Sequence, residues 1–125
     1  MVVASLSEED AHNTASKLSE KGWKVPSVQA DVSNEDDVKK LVDTAIATFK
    51  SIDILVNNAG IYPSIPVSQM TLADFEKVLS VNLKGVFLCT KYVSNQMIAQ
   101  GKGGKIINIT SIDALHPSSI GACLS

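Results

Sequence analysis

The sequence lacks the features that define several common protein classes. Its only two cysteines, Cys89 and Cys123, are far apart and form no CxxC pair. It has no arginine, and its lysines are scattered within a net charge of −2. We therefore expect structural thiols, and we predict neither a metal site nor a nucleic-acid-binding surface. No apolar run approaches the ~20 residues of a membrane span, and the first residues lack a signal peptide. We expect a soluble, cytoplasmic protein that does not bind membranes.

Two further absences concern phosphate binding. No GxGxxG motif occurs anywhere in the chain, and the glycines at positions 101–104 precede an apolar strand instead of a helix. A glycine-rich phosphate loop needs the opposite order, because the helix that follows it provides the N-terminal amides. We interpret residues 101–104 as a turn.

What the sequence does contain is a regular alternation of strand and helix patterns. At 125 residues, with 45% hydrophobic and 19% charged residues, it has the size and composition of one globular domain, residues 1–125. Apolar runs predict strands over residues 2–6, 23–30, 52–56 and 105–110. Capping patterns begin the intervening helices at Ser7, at Ser33 or Asn34, and at Thr71. The third helical pattern continues from Thr71 to Gln100, with a bend or a junction of two helices expected at Gly85.

This order predicts an α/β fold with a doubly wound parallel sheet. Ligands of such sheets bind beyond the carboxyl ends of the strands. Asp31, Asn58 and Ser111 each follow a predicted strand, so we expect all three at the ligand-binding edge. A helix-capping or turn aspartate at Asp31, a surface asparagine at Asn82 and a turn serine at Ser111 are the purely structural alternatives. Ser111 is not predicted to be a hydrolase nucleophile, because the GxSxG elbow is absent.

The central motif is Asn-Asn-Ala-Gly at positions 57–60, at the end of an apolar strand. With Asp31 27 residues before Asn58, Asn82 24 residues after it, and Thr110 and Ser111 after the next strand, the sequence resembles the short-chain dehydrogenase/reductase family. The resemblance implies an oxidoreductase that transfers hydride between NAD or NADP and a carbonyl or alcohol substrate. It covers essentially the whole chain but only the middle of the family's domain.

The resemblance also implies roles for individual residues. The cofactor-binding set is expected to be Asp31 and Val32 at the adenine, Asn58, Ala59 and Gly60 at the ribose, and, as further candidates, Ser5 and Thr110. Ser111 is expected to hydrogen-bond the substrate oxygen, and Asn82 to hold a water molecule in the proton-relay path. Family members that prefer NAD usually carry an acidic residue where this chain has Ser5, and no arginine adjoins it, so the choice of nucleotide stays open.

Two family motifs have no counterpart in this sequence. One is the N-terminal TGxxxGxG turn; the other is a tyrosine followed four residues later by lysine, since Pro66 follows Tyr62 at that spacing and Gln96 follows Tyr92. The second motif is expected about where Leu124 and Ser125 stand. We therefore expect a fragment with an incomplete Rossmann-like sheet of about four strands, lacking the first strand and the C-terminal strands, and without significant turnover.

Two expectations, one on strand pairing and one on an alternative function, concern features that the structure can test. In the family the absent first strand lies centrally, so residues 2–6 and 52–56 are expected either to pair directly or to leave the chain marginally stable. The alternative function is a non-catalytic module that associates with a full-length relative or a second copy. The helix from Thr71 to Gln100 is the expected contact, through an exposed Phe87 or Val93.

Overall fold

The structure is a computed structural model that describes residues 1–111. It confirms the predicted α/β order, with each strand shorter than its apolar run. The strands are β1 (Val3–Ser5), β2 (Ser27–Gln29), β3 (Ile54–Asn57) and β4 (Lys105–Asn108), and the α-helices are α1 (Glu8–Ser19), α2 (Glu35–Phe49), α3 (Leu72–Leu79) and α4 (Val86–Ala99). A 3₁₀ turn, Val67–Gln69, lies in the predicted loop before α3. The loop predicted over residues 112–125, with Asp113, His116 and Cys123, lies outside the described residues.

The largest difference from the predicted strands is at β2. Residues 23–26 are not in the strand, and the Trp23 side chain is 57% exposed. Pro26 has no N–H to donate, so a regular ladder starts after it, and its carbonyl accepts the Val3 N–H at 3.1 Å. The apolar run was therefore longer than the strand it predicts.

The helix starts follow the predicted capping residues. Ser7 Oγ accepts the Asp10 N–H at 3.2 Å, which is one half of a capping box, and Asn34, not Ser33, caps α2. At α3 the box is reciprocal, with Thr71 and Asp74 each bonding the other's backbone. The turn after α1 passes through Gly22 at φ +83°, a conformation that favours glycine.

The four strands form two separate parallel pairs. β1 pairs with β2 in the register Val3 to Ser27, and β3 pairs with β4 in the register Ile54 to Lys105. No ladder joins β1 to β3. Of the two expected outcomes, direct pairing of residues 2–6 with 52–56 is therefore wrong, and marginal stability of the chain stays a prediction.

The two sheets are connected through packing of α2 on α4. Buried Val38 of α2 meets Leu88 and Cys89 of α4, with Val32 and Leu55 packed against this cluster. Val32 follows β2 and Leu55 lies in β3, so one cluster holds the two sheets together. Cys89 is a buried free thiol, as predicted for a structural cysteine, and burial raises its pKa.

A π-helix, Ser80–Gly85, joins α3 to α4 and explains the bend predicted at Gly85. Along α4, Val93 is buried and Phe87 is 60% exposed. Of the two expected contact residues, Phe87 is therefore exposed as predicted. The prediction for Val93 is wrong, because Val93 belongs to the inward face of the helix. Within residues 1–111 we find no helix with the length and apolar character needed to cross a membrane.

Candidate functional site at the ends of the parallel strands

The end of β3 is fixed by a buried asparagine. Asn57 is 7% exposed and is the buried polar residue of the described chain. Its Nδ2 donates to Asn108 Oδ1 at 2.9 Å, across to β4, and to Thr90 Oγ1 at 3.2 Å, on α4. Because a buried amide costs free energy unless it is bonded, these two bonds determine where β3 ends.

The three residues after Asn57 are presented at the surface. Asn58, Ala59 and Gly60 are all exposed. Ala59 and Gly60 have little or no side chain, which lets a ligand approach the backbone closely. The motif thus combines one anchoring asparagine with an accessible amide and a small-residue surface.

Asn82 fixes the continuation of this segment. Its Oδ1 accepts the Ile61 N–H at 2.9 Å, and its Nδ2 donates to the Ile61 carbonyl at 3.0 Å. A Cβ added at Gly60 would lie 3.5 Å from Asn82 Oδ1. The π-helix that contains Asn82 widens the helical turn, a distortion that is frequent at functional sites. The Asn82 side chain thereby holds the residue that follows the Asn-Asn-Ala-Gly segment, Ile61, against the helix.

Val32 and Ala59 line the same small cleft, although they follow different sheets. Asn57, Gly85, Val86 and Cys89 complete its lining. Gly85 is required there, since a Cβ at this position would lie 2.7 Å from Val32 Cγ2. This contact brings the end of β2 onto the helix that also supports the end of β3.

Asp31 forms a local turn before α2. Its Oδ1 accepts the Ser33 N–H at 2.8 Å and the Ser33 hydroxyl at 2.7 Å, and its own N–H donates to Asp37 Oδ2 at 3.0 Å. The structural alternative for Asp31, a turn aspartate, is thus present in the structure. Within residues 1–111 no hydrogen bond engages Oδ2, so the turn and a ligand contact are compatible.

The remaining predicted residues lie at the same ends of their strands. Ser5 is the last residue of β1, and its Oγ accepts the Ser7 N–H at 3.3 Å. Thr110 is exposed and Ser111 half-buried, both after β4. The structure therefore places every predicted site residue at or beyond the carboxyl end of a strand or, for Asn82, in the helix beside them. Among the described residues no group of histidine, cysteine and acidic side chains could hold a metal.

Sequence reasoning missed three contributors to this site. In the sequence, Asn57 stands out only as part of the motif, Thr90 lies within the helical pattern to Gln100, and Asn108 lies within the apolar run 105–110. A usable indication was Asn108 itself, a polar residue within the run Ile-Ile-Asn-Ile. A polar side chain within a run that predicts a buried strand requires a hydrogen-bond partner.

Parallel strands with helical crossovers and polar and small residues beyond their carboxyl ends define a doubly wound type of α/β protein. The sequence matches the family described as short chain dehydrogenase over residues 1–124. The chain therefore belongs to the short-chain dehydrogenase/reductase family, and the resemblance seen in the sequence is confirmed.

Individual relatives agree with this membership. The chain is 50% identical over 91 residues to a 3-oxoacyl-[acyl-carrier-protein] reductase of Synechocystis sp., covering 73% of this chain and 36% of that protein. It is 39% identical over 115 residues to 3beta-hydroxysteroid dehydrogenase 2 of Eggerthella lenta, covering 91% and 44%.

A solved structure shows the same fold. A 7 alpha-hydroxysteroid dehydrogenase complexed with NADH and 7-oxo glycochenodeoxycholic acid superposes with a TM-score of 0.87 at 30% identity, over 96% of this chain and 46% of that one. The chain thus spans less than half the length of these relatives.

Proposed function

We propose that this chain forms the adenosine-side wall of an NAD(P) site in an oxidoreductase acting on a carbonyl or alcohol substrate. The observation that carries the proposal is the convergence of Val32 and Ala59 in one cleft beside the backbone held by Asn82. Val32 after β2 and Ala59 after β3 meet there beside the helix. Their chain neighbours Asp31 and Asn58 offer a carboxylate oxygen and an exposed amide next to the cleft.

The residues at this edge suit a dinucleotide. Asn58 offers an exposed amide that can both donate to and accept from ribose hydroxyls, and Ala59 and Gly60 leave room for the sugar. Val32 supplies an apolar surface and Asp31 an acceptor for the base. Among residues 1–111 no acceptor is seen for the Ser5 hydroxyl proton at the end of β1, and both NAD and NADP are candidates.

The catalytic roles proposed for this chain belong to Asn82 and Ser111. Bound NAD(P) supplies the acceptor or donor of hydride when an alcohol is oxidised or a carbonyl reduced. Ser111 would hydrogen-bond the substrate oxygen and stabilise charge on it. Asn82 would keep the π-helix and the segment after Gly60 in place beside a water of the proton path.

We expect no significant turnover from these 125 residues alone. Neither tyrosine of the sequence is followed four residues later by lysine, the pair that provides the family's general acid and base. Such a group contributes about 10²–10⁴-fold in rate. We therefore propose that this chain binds part of the NAD(P) molecule, and this binding is measured separately from catalysis.

Nucleotide binding can be tested by NMR titration of the 125-residue chain with NAD and with NADP. Shifts at Val32, Asn58 and Gly60 are expected, and Asn58→Ala should weaken them several-fold. Asn95→Ala, at an exposed asparagine on α4, is the matched control. Unchanged spectra at millimolar nucleotide would contradict the proposed site.

Turnover is tested separately, by NAD(P)H consumption with a panel of ketones. We expect no signal above background. A robust rate that Ser111→Ala abolishes would overturn the proposed inactivity while supporting the proposed site.

A second candidate is an interaction module, favoured by apolar exposure along one helix. Leu83 is 63%, Phe87 60% and Ile98 76% exposed. Exposed large apolar side chains on a helix are typical of contact surfaces. A second copy or a longer relative would pack on this surface, and light scattering of the wild type and of Phe87→Lys would detect self-association through it.

A further inference from the structure

One atom of the buried Asn57 side chain takes no part in the contacts that fix the end of β3. Both protons of its Nδ2 are donated, to Asn108 and to Thr90, whereas its Oδ1 accepts no hydrogen bond from residues 1–111. No fully buried side-chain oxygen or nitrogen of the described chain lacks a partner. Oδ1 is therefore open to solvent, and the opening that Asn57 lines is the cleft it shares with Val32 and Ala59.

A second acceptor faces this cleft from the end of β2. The Val32 carbonyl oxygen lies 3.5 Å from the position that a Cβ would take at Gly85, so the glycine leaves this oxygen uncovered. The carbonyl accepts no hydrogen bond within the described part of the chain. Polar groups removed from bulk solvent are normally paired, with ordered water where the protein offers no partner. Two acceptors that follow different sheets thus need a donor at one opening.

The size and lining of the cleft determine what the donor is. The volume is about 10 Å³, and the remaining lining is provided by Ala59, Val86 and Cys89. About 10–15 Å³ of such space holds one water molecule, which is far less than the ring of a base requires. No carboxylate lines the cleft, and hard cations prefer sites that carry carboxylates. The cleft therefore suits one water molecule, a neutral donor with two protons for two acceptors.

We propose that this cleft binds one ordered water molecule that selects the base of the nucleotide. The water donates one proton to Asn57 Oδ1 and the other to the Val32 carbonyl, so its oxygen presents only lone pairs to the ligand. It accepts from an amino group and repels a carbonyl oxygen. Adenine carries an exocyclic amino group where hypoxanthine carries an oxygen. The inference rests on the proposed function, because the base must lie against Val32 and Ala59.

The water acts beside a second group that is proposed to contact the base. Asp31 also offers an acceptor at the end of β2, so a preference for adenine does not by itself identify the water. A bridging water is nearly as favourable as a direct hydrogen bond, and one hydrogen bond corresponds to about 3–10-fold in affinity. The decisive variant must therefore remove the water and leave both Asp31 and the bonds of Asn57 in place.

The first experiment detects the water in the 125-residue chain without nucleotide. Water–protein NOE and ROE spectra are recorded, in which a long-lived water gives cross-peaks of opposite sign. We expect such cross-peaks at the methyl groups of Val32, Ala59 and Val86. Ala99, an exposed alanine of α4 outside the cleft, is the control and should show only short-lived hydration. Absence of a long-lived water at the cleft methyl groups would overturn the proposal, whether or not a nucleotide binds.

The second experiment compares NAD with nicotinamide hypoxanthine dinucleotide by NMR titration, followed at Asn58 and Gly60. The wild type should bind NAD about 3–10-fold more tightly. Val86→Ile adds one carbon to the lining of the cleft and displaces the water, because a volume of about 10 Å³ cannot hold both. We expect this variant to lose affinity for NAD several-fold and to keep its affinity for the hypoxanthine analogue. An unchanged preference for NAD, or an equal loss for both nucleotides, would overturn the proposal.

The matched control is Val42→Ile, the same change at a half-buried position of α2 that does not line the cleft. It should keep both the long-lived water and the preference for NAD. If Val86→Ile does not fold, the wild-type measurements still decide, since equal binding of the two nucleotides contradicts selection by the water. No shifts with either nucleotide would contradict the proposed function and the selection of the base with it. That outcome is distinguishable from failure of the water site alone, because the hydration spectra are recorded without nucleotide.

Discussion

The two strand ends that meet at the candidate site are held by different kinds of contact. The end of β3 depends on bonds to distant parts of the chain, since Asn57 reaches Thr90, 33 residues away, and Asn108, 51 residues away. The end of β2 depends on neighbours, because Asp31 bonds Ser33 and Asp37 within six residues. The first arrangement couples the site to the whole fold, and the second can form in isolation.

This difference explains how the ligand-binding edge can be held rigidly and still present side chains to a ligand. Asn57 is buried and its Nδ2 donates two hydrogen bonds, whereas the following Asn58 is exposed. Asp31 is half-buried and uses one carboxylate oxygen for its turn. We expect substitutions at the β3 end to act on global stability, and substitutions at the β2 end to act locally.

The largest effect is expected for Asn57→Ala. It removes the two hydrogen bonds that the buried Asn57 amide donates to Asn108 and Thr90, and unfolding free energy should fall by about 2–3 kcal/mol. Asn58→Ala, one residue along and exposed, should change it by less than about 0.5 kcal/mol. Urea denaturation of both variants provides the measurement. Similar losses of unfolding free energy in the two variants would show that the buried Asn57 and the exposed Asn58 contribute equally to stability.

Gly85→Ala tests the contact that joins the two strand ends. The new methyl would lie 2.7 Å from Val32 Cγ2, inside van der Waals contact, so we expect a loss of about 1–3 kcal/mol. Because the clash is with one side chain, the double variant Gly85→Ala with Val32→Ala should recover part of it.

The measurement for this pair is a double-mutant cycle in urea denaturation. A coupling energy above about 0.5 kcal/mol is expected for residues in contact. Additive losses would mean that Gly85 is needed for the π-helix backbone and not for its approach to Val32.

These two variants also show what the sequence could and could not predict. The caps at Asn34 and Thr71 depend on residues within one turn, so their patterns were readable, and the clustering of polar residues at the strand ends followed from topology. The Asn57 network and the contact of Gly85 with Val32 join residues that only the packing of α4 brings together. Strand lengths were overestimated because an apolar run does not report where pairing stops.

The local turn at Asp31 should be tolerant of change. Asp31→Asn keeps an acceptor for the Ser33 N–H and should leave stability within about 0.5 kcal/mol, whereas Asp31→Ala removes it and should cost about 1 kcal/mol. Thermal unfolding measures both. A loss at Asp31→Ala as large as at Asn57→Ala would show that the β2 end is also coupled to the whole fold.

The smallest effect concerns Glu35, at the exposed contact of α2 with α4. The Tyr92 hydroxyl donates to its Oε1, and this bond, with Lys91 Nζ at 3.4 Å and the charge of Lys39, lowers the pKa of the Glu35 carboxyl below its ordinary 4.5. Because the folded state holds the proton less readily, the contact stabilises the fold above the unfolded pKa. That stabilisation is lost as pH falls through the lowered folded value.

Melting temperature against pH for the wild type and Glu35→Gln tests this contact. The wild type should be the more stable at pH ~7, and the difference should shrink towards pH ~3 as the carboxyl is protonated. Tyr92→Phe removes the largest cause of the lowered pKa, so it should move the pH at which the difference disappears upward. A difference in melting temperature that does not change with pH would mean that Glu35 stabilises the fold through side-chain packing and not through its charge. The joint between the two sheets would then rest on the buried cluster of Val38, Leu88 and Cys89, without an electrostatic component.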